Sequence, residues 1–171
     1  MIKINGKETI VVAVGERIKS IRIKQGMTQK YLGMSVGFDE NTADVRLAQY
    51  ESGTRSPKKN LLNNLANALS VSPLALDVPN IDSYHSLIHT LFALEDIYGF
   101  SIEDFGGEPT ISIKQSIEDS HTIIWNMLNE WYRASELLKS EKITRDEYDE
   151  WRYNYPLISL DQDEDSVIIT S

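Results

Sequence analysis

The stretch TQKYLGMSVGFDENTADVRLAQYESGTR, residues 28–55, predicts a helix, a turn and a second helix. Thr28 is a suitable N-cap for the first helix, because its side-chain oxygen can accept a hydrogen bond from an exposed backbone N–H group of the first turn. Asn41 or Thr42 can cap the second helix in the same way. Gly53 ends the second helix, because glycine readily adopts the left-handed conformation that follows many helices.

Three further helices are predicted around this stretch. Apolar residues recur at helical spacing over residues 15–25 and again over residues 61–69. The pairs Ser56-Pro57 and Ser72-Pro73 predict the starts of the last two helices, because serine is a good N-cap and proline is favoured at the first helical position. Five short helices joined by tight turns predict a compact all-α domain over residues 15–78.

Five short motifs follow one another in this predicted domain: Arg17-Ile18-Lys19-Ser20, Arg22-Ile23, Gly26-Met27-Thr28-Gln29, Tyr50-Glu51-Ser52-Gly53-Thr54-Arg55 and Ala66-Asn67-Ala68-Leu69. At these positions the chain resembles the helix-turn-helix domain of the lambdoid phage repressor and XRE family. The resemblance implies sequence-specific binding to double-stranded DNA. In that family the first motif helix lies on the phosphates and the second enters the major groove.

Charge is distributed unevenly along the chain, whose formal net charge is −9. Residues 1–78 carry 11 basic and 7 acidic side chains, whereas residues 79–171 carry 6 basic and 19 acidic side chains. We therefore expect only the first part of the chain to meet nucleic acid, because phosphate would repel the acidic second part.

Candidate phosphate contacts lie at the start of the first motif helix and just after the second. Exposed backbone N–H groups and the helix dipole attract anions at a helix start, and the resemblance implies that Gln29 contacts a phosphate there. The alternatives are an ordinary first-turn surface residue for Gln29 and a solvated basic turn for the later cations. The predicted set is Thr28, Gln29, Lys30, Arg55, Lys58 and Lys59.

Candidate base contacts lie on the exposed N-terminal half of the second motif helix. Gln49 and Arg46 are the leading candidates, because glutamine can pair bidentately with adenine and arginine with guanine, at about 1–3 kcal/mol of discrimination each. Asp44 can accept a hydrogen bond from cytosine, cap the helix or repel wrong sites. The predicted set is Asn41, Thr42, Asp44, Val45, Arg46 and Gln49.

The chain departs from the family pattern between the two motif helices. Gly37 and Tyr50 are 13 positions apart, which is longer than the usual family spacing, and the extra residues lie within residues 38–43. Either the turn is longer, or the second helix begins a turn earlier. Roles implied by the resemblance therefore transfer directly only from Arg46 onward.

Arg22 and Glu51 stand where the family has a buried salt bridge. The resemblance gives this pair a structural role, in which it holds the first helix of the domain against the end of the second motif helix. Removing one partner of such a buried pair typically costs about 3–5 kcal/mol.

Residues 1–14 precede the helical domain. Asn5-Gly6 stands between two short β-prone runs and predicts a hairpin, because this pair fits a two-residue turn. The alternative is a basic arm in which Lys3 and Lys7 touch DNA.

Residues 79–160 predict a second, mostly helical domain with a short β-hairpin. Helices are predicted over residues 81–98 and 117–140, and the hairpin strands flank Gly106-Gly107. The chain as a whole is therefore predicted to be mainly α.

The end of the chain predicts one more helix and a tail. Thr144 and Glu147 form a capping box, because the side chain of each can bond the backbone N–H of the other at a helix start. Pro156 stops this last helix. Residues 161–171 predict an acidic, frayed tail.

The second predicted domain holds all three tryptophans of the chain. These aromatic residues either fill one α+β core or form an exposed face for self-association or for another protein. The segment also resembles small regulators of Gram-positive bacteria and their mobile elements. We expect a dimer, whose two-fold symmetry would set two recognition helices about one DNA turn, roughly 34 Å, apart.

The expected function is that of a sequence-specific transcriptional regulator, a dimeric repressor or autorepressor that binds an inverted-repeat operator. The alternative is a protein-interaction inhibitor that resembles anti-CRISPR proteins with an attached helix-turn-helix. Its acidic C-terminal domain would block a partner protein by presenting carboxylates in place of phosphates, and the helix-turn-helix domain would only autoregulate the gene.

An enzyme, a metal site and a cofactor are not expected. The chain has no cysteine, which excludes disulfides and cysteine chemistry. His85 and His89 are four positions apart, but no HExxH motif accompanies them, and Gly106-Gly107 lacks the Lys-Ser/Thr of a phosphate loop. No apolar run is long enough to span a membrane and no leader peptide is apparent, so a cytoplasmic protein is expected.

Overall fold

The structure, a computed structural model, describes residues 3–4, 7–8, 14–79, 81, 83–113, 119–157, 159–160 and 167–168. The chain forms two compact units. The first unit comprises Met1–Ser83 and Asp149–Ser171, and the second comprises Tyr84–Tyr148. Helices predominate in the described residues of both units, which confirms the predicted fold class.

The first unit contains the five predicted helices of the N-terminal domain. They surround one apolar core, in which Ile18, Leu32, Leu47, Leu65 and Leu69 are fully buried. Burial of such side chains is the main favourable contribution to folding, at about 1.5–3 kcal/mol for each. The helices are α1 (Val14–Lys24), α2 (Gln29–Ser35), α3 (Ala43–Glu51), α4 (Lys59–Ala68) and α5 (Pro73–Leu76).

The helix starts agree with the predicted caps at some positions and not at others. Thr28 Oγ1 accepts a hydrogen bond from the backbone N–H of Tyr31 at 3.0 Å and so caps α2. Thr42 is the N-cap residue of α3, but its side chain makes no capping hydrogen bond. The predicted start at Ser56-Pro57 is wrong, because Lys58 is extended, with φ −72° and ψ 160°, and α4 begins after it.

A short strand pair precedes the helices. Strand β1 (Lys3–Ile4) pairs antiparallel with strand β2 (Lys7–Glu8), which is the pairing that the predicted hairpin requires. The predicted turn residues Asn5-Gly6 lie outside the described residues.

The second unit contains a β-hairpin between two long helices. Phe100 lies opposite Ile113 in the antiparallel hairpin. Gly106 and Gly107 form the turn with φ values of +66° and +90°, a region that residues with a Cβ rarely adopt. The elements are α6 (Tyr84–Tyr98), β3 (Phe100–Phe105), β4 (Glu108–Ile113), α7 (Asp119–Lys139) and the first residues of α8 (Arg145–Asn154).

The C-terminal part of α8 packs in the first unit. The backbone N–H of Ser72 donates to the backbone oxygen of Tyr153 at 3.0 Å. The buried carboxylate of Asp149 accepts hydrogen bonds from Lys24 Nζ and, at 2.8 Å, from Arg152 Nη2. The pKa of Lys24 is raised, mainly by its hydrogen bond to Asp149. These contacts attach the last helix to α1 and to the start of α5.

Sequence reasoning did not anticipate these contacts. It divided the chain at residue 79 and assigned residues 79–160, which include α8, to a second domain. The acidic composition after residue 79 concealed that Asp149 pairs with a lysine of α1, because a pairing across so many residues leaves no local pattern.

A last strand pair follows α8. Strand β5 (Ser159–Leu160) pairs antiparallel with strand β6 (Val167–Ile168). The segment predicted to be a frayed tail therefore contains a paired strand at Val167–Ile168, and its other residues lie outside the described part of the chain.

We predict that the start of α8 weakens at acidic pH through Glu147. The backbone N–H and the hydroxyl of Thr144 both donate to the Glu147 carboxylate, at 2.7 and 2.8 Å, and they lower its pKa. A carboxyl whose pKa is lowered on folding stabilises the fold above its unfolded value of about 4.3, and this contribution is lost as the pH falls through the folded value. After correction for intrinsic exchange, the protection of the Tyr148 amide should therefore be lower at acidic pH, where the carboxylate is protonated, than at neutral pH.

The matched control is Glu147→Gln, which keeps the capping geometry and removes the titration. In this variant the protection of the Tyr148 amide, corrected for intrinsic exchange, should no longer depend on pH in the acidic range. An unchanged pH dependence would show that another group controls the start of α8.

Candidate nucleic-acid interface

Helices α2 and α3 make a tight pair through a glycine. A Cβ placed on Gly33 would lie 2.5 Å from the backbone oxygen of Ala43, closer than any side chain tolerates. Ala43 is itself fully buried at the start of α3. Sequence reasoning missed this contact, although a signal exists: a glycine inside a helix costs about 1 kcal/mol relative to alanine, and therefore often has a packing reason.

The extra residues of the chain lengthen the turn and not the helix. Helix α2 ends at Ser35 and α3 begins at Ala43. Within the turn, Asp39 Oδ1 accepts from the backbone N–H of Asn41 at 2.9 Å, and the backbone oxygen of Asp39 accepts from the N–H of Thr42 at 3.0 Å. Of the two alternatives that the sequence left open, the longer turn is therefore correct.

The six predicted base-contacting residues lie on α3 or directly before it. Asn41, Thr42, Asp44 and Val45 are exposed, whereas Arg46 and Gln49 are partly buried. Helix α3 buries the opposite side, through Ala43, Leu47 and Glu51. Four of the six thus face solvent, and Asp44 is an acidic side chain of the first turn, where the helix dipole favours it.

Arg46 has an aromatic neighbour that sequence reasoning missed. Its guanidinium carbon lies 4.0 Å from the ring centroid of Phe38, a cation–π distance. The ring of Phe38 also stacks on that of Tyr50, with centroids 6.0 Å apart and planes at 23°. The only sequence signal was an aromatic residue among the extra residues of the turn.

Three of the predicted phosphate contacts have partners inside the protein. Thr28 caps α2 through its hydroxyl. Gln29 Nε2 donates to Glu51 Oε2 at 2.8 Å. Lys30 Nζ lies 3.0 Å from Glu40 Oε1, in a pair with both side chains exposed. The other three, Arg55, Lys58 and Lys59, are exposed between α3 and the first turn of α4.

The buried ion pair implied by the resemblance is present. Arg22 Nε donates to Glu51 Oε1 at 2.5 Å and Arg22 Nη2 donates to Glu51 Oε2 at 3.0 Å. Arg22 Nη1 donates to the backbone oxygen of Met27 at 2.7 Å. The two residues are only 8% and 3% exposed, so this bidentate geometry compensates the cost of removing both charges from water.

Two comparisons with known proteins bear on the family of this chain. Residues 18–76 match the protein-family model described as Helix-turn-helix. The solved structure of the transcriptional regulator BswR is 35% identical to this chain, over 48% of this chain and 78% of that one, with a TM-score of 0.37. The chain belongs to the XRE-type helix-turn-helix family. No curated protein matches it.

The described residues also bear on metal binding and on membranes. Among the described residues, no group of three or more His, Cys, Asp or Glu side chains is placed to hold a metal ion. His85 and His89 are exposed on α6, where the ring of His89 packs edge-on against Phe92. In the described part of the chain, no helix combines the length and the apolar character that crossing a membrane requires.

We predict that Glu51→Gln lowers the free energy of unfolding of the first unit by about 3–5 kcal/mol, because it leaves Arg22 charged, buried and without its counter-ion. Glu40→Gln is the matched control, since it removes the exposed pair with Lys30 and should cost less than about 1 kcal/mol. Urea unfolding followed by NMR signals of α1 and α3 separates the first unit from the second. Equal costs for the two substitutions would contradict this assignment.

Proposed function

We propose that this protein is a sequence-specific transcriptional repressor that binds an inverted-repeat operator as a dimer. The observation that carries the proposal is the exposed side of α3, with Arg46 and Gln49 on a helix that is held rigidly by the core of a helix-turn-helix unit. Family membership supports DNA binding, and the repressor role, the operator symmetry and the dimer are proposals.

The proposed docking follows the helix-turn-helix plan. Helix α3 enters the major groove, where Gln49 pairs with adenine and Arg46 with guanine. Asn41, Thr42, Asp44 and Val45 lie near the bases from the end of the turn and the first turn of α3, and the exposed Val45 side chain suits a thymine methyl group.

Phosphate contacts fix the protein on the duplex in this proposal. An amide nitrogen carries two hydrogens, so Gln29 Nε2 can donate one to Glu51 and the other to a phosphate at the start of α2. Thr28 and Lys30 flank it, and Arg55, Lys58 and Lys59 anchor the other side of the helix-turn-helix. Because Lys30 pairs with Glu40, its phosphate contact requires exchange of one partner for another.

The proposed dimer rests on apolar surface in the second unit. In its described part only Ala134, Ile143 and Tyr148 are buried apolar residues, and α6 buries none. Ile102 and Ile111 lie opposite one another in the hairpin, yet they are 66% and 48% exposed. A two-stranded hairpin is marginal alone, and a contiguous exposed apolar patch marks an interaction surface. A second copy of the unit would cover this face.

The acidic character of the second unit is consistent with this division of labour. Over residues 84–148 the chain carries 12 acidic and 5 basic side chains, so phosphate repels this unit and DNA binding falls to the first unit. As a DNA-binding protein, it would act in the cytoplasm in this proposal. The resemblance of the second unit to mobile-element regulators stays a prediction. No catalytic step is part of the proposal.

We predict different consequences for two DNA-contact variants. Gln49→Ala should weaken binding to the selected operator by about 1–3 kcal/mol and relax one base position, because it removes a bidentate base contact. Lys58→Ala should weaken binding to all sequences alike and reduce the steepness of the salt dependence, because it removes a phosphate contact. Sites selected from random DNA and titrations at several salt concentrations measure both. Identical behaviour on every sequence would contradict these roles.

We predict that Ile102→Glu dissociates the dimer, because it places a charge within the apolar face of the hairpin. Sedimentation equilibrium should show at least a tenfold weaker dimer, and operator affinity should fall with it. Leu74→Glu is the matched control, since Leu74 is as exposed as Ile102 but lies in the first unit. The full chain is required, because residues from Asp149 onward pack in the first unit.

A monomeric wild-type protein that binds operator at nanomolar concentration would contradict the dimer. Trp131 and Tyr132 are exposed in this acidic unit. If the protein is a monomer and binds another protein through these two side chains, the inhibitor alternative is favoured.

A further inference from the structure

The lengthened turn carries an aromatic ring that contacts the proposed recognition helix. The backbone N–H of Phe38 donates to the backbone oxygen of Gly33 at 3.0 Å, which fixes Phe38 relative to the end of α2. Its partly buried ring then meets two residues of α3 that are one helical turn apart, Arg46 and Tyr50. The ring is thus held by both helices of the motif.

The contact with Arg46 has a geometry that matters for base recognition. A guanidinium group is planar, stacks on aromatic faces through its π surface and keeps its five N–H donors in the plane of the group. The Arg46 carbon lies 4.0 Å from the Phe38 centroid, close enough for stacking, an arrangement that leaves the in-plane donors available. Recognition of guanine uses two of these donors, on O6 and N7.

Ordering a long side chain costs conformational entropy when it binds, and a side chain that is already ordered avoids that cost. Arginine has many rotamers, and the ring of Phe38 selects among them before DNA arrives. The backbone hydrogen bond to Gly33 places Phe38 against α2, and the stack on Tyr50 places its ring against α3.

We propose that Phe38 is a positioning residue that holds Arg46 ready for bidentate recognition of a guanine, so that the extra residues of the turn contribute to operator specificity. The inference rests on the proposed function, since it requires that α3 reads bases. It adds a residue that lies outside α3 and that carries no charge or hydrogen-bonding group in its side chain.

The experiment compares variants of the full chain, the double variant Phe38→Leu/Arg46→Ala and Gln49→Ala among them, on DNA sites selected with the wild-type protein. Arg46→Ala identifies the guanine, as the one position at which discrimination falls, by about 5- to 150-fold. Phe38→Leu removes the aromatic face but keeps apolar bulk against Tyr50, and Phe38→Tyr keeps the ring. Tyr31→Leu is the matched control, because Tyr31 is an exposed aromatic residue of α2. Circular dichroism verifies that each variant is folded.

Phe38→Leu should lower affinity for the guanine site by about 2- to 10-fold and leave affinity for the site with another base there unchanged, because only the contact made by Arg46 is affected. Phe38→Tyr should restore wild-type discrimination, and Tyr31→Leu should not alter it. Phe38→Leu in the Arg46→Ala background should have no further effect, because a residue that acts through Arg46 has nothing left to position.

Four results would overturn the inference. Equal loss on both sites that persists in the Arg46→Ala background would mean that the ring only supports the fold. Tighter guanine binding by Phe38→Leu would mean that the ring holds Arg46 away from DNA. Loss of discrimination in Gln49→Ala but not in Arg46→Ala would refute this inference and leave the proposed function intact, whereas selection of no site by the wild-type protein would refute both.

Discussion

One buried carboxylate, that of Glu51, is the constraint on which the first unit depends. It accepts two hydrogen bonds from Arg22 of α1 and one from Gln29 of α2, and it belongs to α3 itself. Three helices therefore meet at a single charge, and each needs the others to keep that charge satisfied away from water. Gln29 is both part of this network and a proposed phosphate contact, so the geometry that stabilises the fold also fixes the side chain that we propose contacts a phosphate.

Two glycines allow the same three helices to pack closely. A Cβ on Gly15 of α1 would lie 2.3 Å from the backbone oxygen of Tyr50 in α3, and Gly33 of α2 meets the backbone oxygen of Ala43 at the other end of α3. Both ends of α3 lie against other helices. Extra residues between α2 and α3 therefore fit only in the turn, where a longer loop costs little free energy. The turn is therefore the place where a family member can acquire a residue such as Phe38 without disturbing the core.

The helices of the first unit follow from apolar spacing and from caps such as Thr28, and the pair of Arg22 and Glu51 follows from the family resemblance. The sequence does not predict contacts that depend on the conformation of a turn, or contacts between residues far apart along the chain. The contact between Phe38 and Arg46 can be predicted only from the conformation of the turn, and the family pattern does not cover these extra residues. The pairing of Lys24 with Asp149 joins residues 125 positions apart. The start of α4 was misjudged because Lys58 adopts an extended backbone after Pro57, which local preferences alone do not dictate.

The membership of Asp149–Ser171 in the first unit has a consequence for synthesis. A ribosome makes the chain from its N-terminus, so Tyr84–Tyr148 emerges before the helical segment that completes the first unit. The nascent chain therefore contains all of the second unit while α1 still lacks its contact with Asp149. The first unit thus receives its last supports only at the end of synthesis.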